Sequence, residues 1–190
     1  MKFNEFYSLT IVHSRDIILV KGVDYMNITK QKSQKTFDKQ AADYDTNIQG
    51  EHARKLYKPI IENLKNKNIH SILDLGCGTG ALLKEIKELN IAEQLFGIDI
   101  SPNMLEIAKN KLGNDATLIL GDSERLPFED SSFDAIVCND SFHHYPQPDI
   151  VEKEVSRCLK QNGVFIIGDC WQPIGARQIM NYYMKHSNSG

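Results

Sequence analysis

The chain has 190 residues and a formal charge of -3, from 22 Lys and Arg against 25 Asp and Glu, and 41% of its residues are hydrophobic. That length supports one domain with a substantial core, and the near-even charge carries no electrostatic footprint for nucleic acid or an anionic membrane. Cys77, Cys138, Cys158 and Cys170 form no C-x-x-C pair, so reduced thiols in a cytoplasmic protein are expected, with no disulfide and no metal site.

At the start, Thr10-Ile11-Val12 and Ile17-Ile18-Leu19-Val20 read as short strands, and His13-Ser14-Arg15-Asp16 interrupts them. No signal h-region or membrane span results. Residues 1–25 fit poorly with the rest of the chain and stand as an N-terminal extension, with Met26 as good a start as Met1. Residues 26–66 read as a helical cap. It is polar from Asn27 to Gln40, and a helix from Glu51 to about Asn66 then sets Ala53, Leu56, Tyr57, Ile60, Ile61 and Leu64 on one side. Such a stripe packs on a sheet.

Strand and helix alternate through residues 67–190. The expected elements are a strand at 70–75, a helix at 80–89, a strand at 95–100, a helix at 102–112, strands at 116–121 and 133–139, a helix at 149–160 and a strand at 163–170. Ser101-Pro102 is a helix start, with serine as cap and proline in the first turn. Ala135-Ile136-Val137-Cys138 and Val164-Phe165-Ile166-Ile167 are apolar without alternation, as strands of a parallel sheet covered on both faces must be. The pattern predicts a doubly wound, mainly parallel α/β fold with helices on both faces.

The strongest local signal is Ile72-Leu73-Asp74-Leu75-Gly76-Cys77-Gly78-Thr79-Gly80 running into Leu82-Leu83-Lys84-Glu85-Ile86. Glycines at every second position let a ligand lie against the main chain, and a helix opening there adds free amide groups. Gly76-x-Gly78-x-x-Ala81 also satisfies the loose dinucleotide fingerprint, so a nicotinamide oxidoreductase remains an alternative. Asp74 argues against it, because a carboxylate there repels a pyrophosphate and suits a positively charged sulfonium with an amino-acid tail. A second strand, Leu95-Phe96-Gly97-Ile98-Asp99, ends in an acid able to accept from both ribose hydroxyls.

The D-x-G-x-G-x-G stretch at Asp74 to Gly80 resembles motif I of class I S-adenosylmethionine-dependent methyltransferases. Gly121-Asp122-Ser123-Glu124 resembles that family's adenine-binding loop, and Asn139-Asp140-Ser141-Phe142-His143-His144 its segment after strand four. Arg157-Cys158-Leu159-Lys160-Gln161-Asn162-Gly163 is similar to its R-x-L-K-x-G-G approach to strand five, with Asn162 where glycine is usual. Phe37 to Asp45 resembles its F-x-x-x-A-x-x-Y-D entry, whose aromatic closes over the cofactor. The likeness covers roughly Phe37 to Asp169 and is nearest the small-molecule group that includes ubiquinone and menaquinone biosynthesis enzymes.

The resemblance implies sheet order 3-2-1-4-5, S-adenosyl-L-methionine as cofactor with S-adenosyl-L-homocysteine as product, and a small-molecule methyl acceptor. The implied cofactor contacts are Tyr44, Asp74, Gly76, Cys77, Gly78, Thr79, Gly80, Asp99, Ile100, Met104, Asp122, Ser123, Glu124 and Asn139. His144 and Asp140 are the candidates for a catalytic base, needed only when the acceptor must lose a proton. Cys77 reads as a small buried residue rather than a nucleophile. Asn139-Asp140-Ser141-Phe142 lacks the N-P-P-[YF] pattern of enzymes that methylate adenine or glutamine, which disfavours nucleic acid.

One departure remains. Family members carry seven strands, the last two forming an antiparallel hairpin beside strand five, whereas Cys170 to Gly190 reads as a loop and one helix. The core is therefore expected to be C-terminally shortened, either a weak enzyme, a cofactor-binding module without turnover, or a domain completed by a partner. Strand five would then expose an apolar edge, which recruits partners. Self-association, or cover by the first 25 residues or the last helix, is expected.

Overall fold

The computed structural model describes residues 6–12, 24–48 and 50–171. In chain order the elements are β1 (Phe6–Val12), α1 (Asp24–Gln40), a 3-10 turn at Ala41–Asp43, α2 (Glu51–Leu64), β2 (Ile69–Leu75), α3 (Ala81–Glu88), β3 (Ala92–Asp99), α4 (Pro102–Leu112), β4 (Thr117–Leu120), β5 (Phe133–Asn139), a 3-10 turn at Phe142–His144, α5 (Pro148–Cys158) and β6 (Leu159–Trp171). One six-stranded sheet runs β1-β6-β5-β2-β3-β4. From β2 to β6 every pairing is parallel, which reproduces the expected 3-2-1-4-5 order.

Both faces of the sheet are covered, and the non-alternating strands show why. In β5, Ala135 and Val137 join the layer packed by Leu56, Ile60 and Leu64 of α2 and by Leu83 and Ile86 of α3. Their neighbours Ile136 and Cys138 join the opposite layer with Val151 and Val155 of α5. In β6 the split is Val164 and Ile166 against Phe165 and Ile167. A strand with a core on each side has no polar face to show. All the strand C-termini of the parallel set open on one edge, where ligands of such sheets bind.

The extension at the start of the chain has a place in this sheet. β1 pairs antiparallel with β6 along its whole length, Phe6 opposite Trp171 and Val12 opposite Phe165. The edge expected to lie bare is therefore paired, by the first of the expected covers. Ile17 to Val20 and the helix expected near the end lie outside the described residues. α1 runs through Met26.

Most boundaries shift by one to three residues, and the largest difference falls where α5 meets β6. α5 stops at Cys158 because Leu159 already has extended backbone, φ -74° and ψ 136°. The stretch after it irregularly joins β6 to β5, with a register shift between Phe133 and Ala135. Asn162 sits in it at φ +68°. That left-handed conformation is the reason glycine is usual there, and asparagine is among the few side chains that tolerate it.

Candidate active site

The cradle begins where β2 ends. The Gly76 and Cys77 amides both donate to the Ile98 carbonyl, at 2.9 and 3.1 Å, so the loop is tied to the end of β3 before it turns into α3. Gly76, Gly78 and Gly80 all have positive φ, at +76°, +51° and +72°, but their neighbours differ. A Cβ on Gly76 would stand 2.1 Å from Ser141 Oγ, whose hydroxyl bonds Tyr145, which in turn donates to the Leu75 carbonyl. A Cβ on Gly78 would meet nothing within 4 Å, because it faces the cavity. A Cβ on Gly80 would press on Leu112 and Ala108 of α4.

This corrects one expectation. Gly80 does not line the cavity; it is the left-handed residue that starts α3 and lets α3 approach α4. Of the remaining residues implied as cofactor contacts, Tyr44, Asp74, Gly76, Cys77, Gly78, Thr79, Asp99, Ile100, Met104, Asp122, Ser123, Glu124 and Asn139 all line one cavity, together with Asp140 and His144. Cys77 is buried against Gly97 and its thiol is pushed well up by that burial and by the Asp99 and Asp74 charges, so it is no nucleophile.

Asp74 is 2% exposed, and its Oδ1 is buried without a hydrogen-bond partner. Burial, with the charge of Asp99 behind it, pushes its carboxyl up to about 8. A buried acid of this kind costs stability unless something cationic or donating meets it. Asp99 is better served. Its Oδ2 accepts from the Gly78 amide and its Oδ1 from the Ser101 amide, both at 2.8 Å, yet burial still raises its pKa. These two acids and the open Gly78 fit a cofactor with a cationic head and a ribose.

The cap closes the cavity through polar tethers. Lys30 of α1 donates to Asp122 at 2.6 Å and to Glu124 at 2.5 Å, and Gln147 also donates to Glu124. Asp38 accepts from the Ser101 hydroxyl at 2.6 Å, locking α1 onto the start of α4. Asp45 takes the Thr79 hydroxyl at 2.5 Å and the Lys111 ammonium at 2.7 Å. Although burial alone would raise the Asp45 pKa, these bonds bring it below the usual value. Arg54 donates to the Tyr44 and Asn47 carbonyls.

At the β5 end, Asp140 has φ +51°, and its amide donates to the Gly168 carbonyl at 2.6 Å. Burial and the Asp169 charge push its carboxyl up to about 6, against the lowering effect of His143 and His52. Behind it, Asp169 accepts from both the backbone amide and Nδ1 of His143, at 3.0 and 2.6 Å. Donor atoms of Asp140, His143 and Asp169 all lie within 4.8 Å of one another. Burial and the neighbouring His143 hold the His144 imidazole down at about 4, hence neutral at pH 7. Its ring meets Phe37 edge-on at 5.1 Å, and Phe37 meets Tyr44 at 6.4 Å.

Lys30, Ser33, Ala53, Tyr57, Leu82, Ser141, Tyr145 and Pro146 also line the cavity, and the sequence did not single them out. Tyr57 carried a signal of a kind, as a phenol within an otherwise aliphatic helix stripe. The others depend on how the cap sits over the sheet.

A Rossmann-like sheet with a glycine cradle and two buried acids at the ends of neighbouring strands is the architecture of S-adenosylmethionine-dependent transferases. The chain belongs to the methyltransferase domain family, whose model matches residues 73–167. It is 32% identical over 163 residues to a demethylmenaquinone methyltransferase of Thermotoga maritima, covering 83% of this chain and 71% of that one. With a malonyl-[acyl-carrier protein] O-methyltransferase of Legionella pneumophila it shares 34% over 135 residues, 68% of this chain and 46% of the relative. Among solved structures, the YcgJ protein of Bacillus subtilis superposes with a TM-score of 0.61 at 27% identity, over 71% of this chain and 58% of that one. No helix among the described residues is long and apolar enough to cross a membrane.

Proposed function

We propose that this cavity binds S-adenosylmethionine across the ends of β2, β3 and β4 and that a small-molecule acceptor enters at the β5 end to receive its methyl group. The observation that carries the reading is the buried, unpaired Oδ1 of Asp74 facing the same cavity as the open Gly78. When bound, the cofactor supplies an electrophilic methyl on a positively charged sulfur, so the protein's work is alignment and exclusion of water. Asp74 meets the cationic head, Asp99 accepts from the ribose, and Asp122, Ser123 and Glu124 flank the adenine. Tyr44 and Phe37 cover the reacting end, with Asn139 below them.

A base is required only for an acceptor that must lose a proton, and here the two candidates separate. Asp140, near 6, is poised to accept a proton at neutral pH, whereas His144, near 4, is too weak a base to hold one. The likeness to methyltransferases over most of the chain disfavours the nicotinamide reading, which has only the loose glycine fingerprint behind it. The binding-only reading rested on the absence of the family's last two strands; β1 covers the edge beside which they would lie, and the likeness to methyltransferases favours methyl transfer over binding alone. Nucleic acid stays disfavoured as substrate on charge grounds, and the free thiols Cys77, Cys138 and Cys158 agree with a cytoplasmic setting.

Titration calorimetry with S-adenosylmethionine, S-adenosylhomocysteine and NAD tests the proposal. The first two should bind and NAD should not. Binding of NAD alone would reverse the assignment; if the first two bind, methyl transfer to demethylmenaquinone or to malonyl-[acyl-carrier protein] would compare the acceptors named for the two relatives.

A further inference from the structure

The sheet order divides the cavity. Asp74, Gly78, Asp99 and Asp122 stand at the ends of β2, β3 and β4, while the other half is walled by Phe37, Tyr44, Tyr57, His144, Asn139 and Asp140. In that second half three rings meet edge to face. Its ionised side chain at neutral pH is Asp140. Tyr44 is pushed up to about 12 by burial and by the Asp140 and Asp99 charges, so its phenol stays protonated, and the His144 imidazole is neutral.

Among the described residues the cations nearby are already committed. Lys30 is held by Asp122 and Glu124, Lys111 by Asp45 and Thr79, and Arg54 by the Tyr44 and Asn47 carbonyls. His143 is turned onto Asp169. An anionic group entering here meets the Asp140 carboxylate, while the nearest imidazole, His143, is already bonded to Asp169. A cationic one meets a carboxylate and aromatic faces, the combination that recognises ammonium groups.

We infer that the acceptor half of the cavity takes a small molecule bearing a basic nitrogen, bound as its ammonium against Asp140 within the Phe37, Tyr44 and His144 rings. This rests on the methyl-transfer reading only in assigning the first half to the cofactor. The backbone of Asp140, strained at φ +51° and fixed by its bond to the Gly168 carbonyl, aims the carboxylate rather than leaving it to solvent. The groups facing Asp140 are His143, His52, Asp169 and Tyr44; burial and Asp169 raise its pKa and the histidines lower it. One N–H proton of the bound ammonium passes to the Asp140 carboxylate, leaving a neutral amine with its lone pair free and a protonated Asp140 that returns the proton to water.

The test is calorimetry on the full chain with 2-phenylethylamine, 2-phenylethanol and phenylacetate, which share a skeleton and differ in charge, run with and without saturating S-adenosylhomocysteine. The amine should bind about tenfold more tightly than the alcohol and phenylacetate most weakly. Raised salt should narrow the gap, and Asp140→Asn should bring the amine to the level of the alcohol. Equal or tighter binding of the alcohol or of phenylacetate, or no binding by any of the three, overturns the inference. Failure of S-adenosylhomocysteine to bind would instead strike the methyl-transfer reading, and the unliganded series would still decide the charge preference.

Discussion

The sheet-borne cradle and the N-terminal cap enclose the same cavity by opposite means. In the cradle the chain itself does the shaping: amides of Gly76 and Cys77 on the Ile98 carbonyl, amides of Gly78 and Ser101 on Asp99, and glycines where a side chain would not fit. The cap is held by side chains, chiefly Lys30 on Asp122 and Glu124, Asp38 on Ser101, and Asp45 on Thr79 and Lys111. Backbone bonds inside a packed sheet resist opening, whereas a few partly exposed ion pairs are each worth little. The cradle should therefore be the rigid wall and the cap the part that yields when ligands enter.

The comparison breaks most sharply at two glycines of one loop. Gly76→Val would drive a branched side chain into Ser141 at a positive φ, and we expect a loss of roughly 3 kcal/mol or more of stability, read by thermal unfolding. Gly78→Val has the same backbone strain but projects into the cavity, so it should keep more of the fold and lose S-adenosylmethionine binding. Equal stability losses with equal residual binding would show that the two glycines have one role.

Next in size, Asp99→Ala removes a charged acceptor from a partly dry site and should weaken S-adenosylmethionine by roughly 1.5–3 kcal/mol in titration, with circular dichroism unchanged. The Asp74 carboxyl, standing near 8 in the free protein, is mostly protonated at pH 7, while a cationic ligand prefers its ionised form. Affinity for S-adenosylhomocysteine should thus climb between pH 6 and 8, by up to about tenfold per unit, and level off above, with proton release on binding. A flat profile would mean that no cationic group meets Asp74. Asp74→Asn should flatten it.

Lys30→Ala probes the cap and should have the smallest effect, about 1 kcal/mol, since Glu124 loses a charged partner while keeping Gln147. Faster cofactor release with a nearly unchanged melting point is the expected pattern in stopped-flow and thermal measurements. A collapse of the whole fold would mean that the cap is not the yielding part.

Much of this was legible in the sequence because it is local. Periodicity located β2 to β6 and α2 to α5 within a few residues, and D-x-G-x-G-x-G marked the cradle before any geometry. Three things were not local. Gly76, Gly78 and Gly80 look alike in a string of letters, yet one neighbours Ser141, one the cavity and one α4. The Lys30 tether joins a polar helix with no periodic signal to a loop 92 and 94 residues away. The choice of β1 as cover for β6 depended on which of two candidate segments reaches that edge, and strand pairing leaves no such mark in sequence.

That antiparallel pairing also sets an order of events. β1 leaves the ribosome before the other described strands, but its partner β6 is made after all of them, so this segment must wait unpaired while the parallel core is synthesised. Closing so long a loop is an entropic cost borne late. The parallel core from β2 to β6 should accordingly assemble as an intermediate, and docking of β1 should appear as a separate, slower phase in refolding, absent when residues 6–12 are deleted.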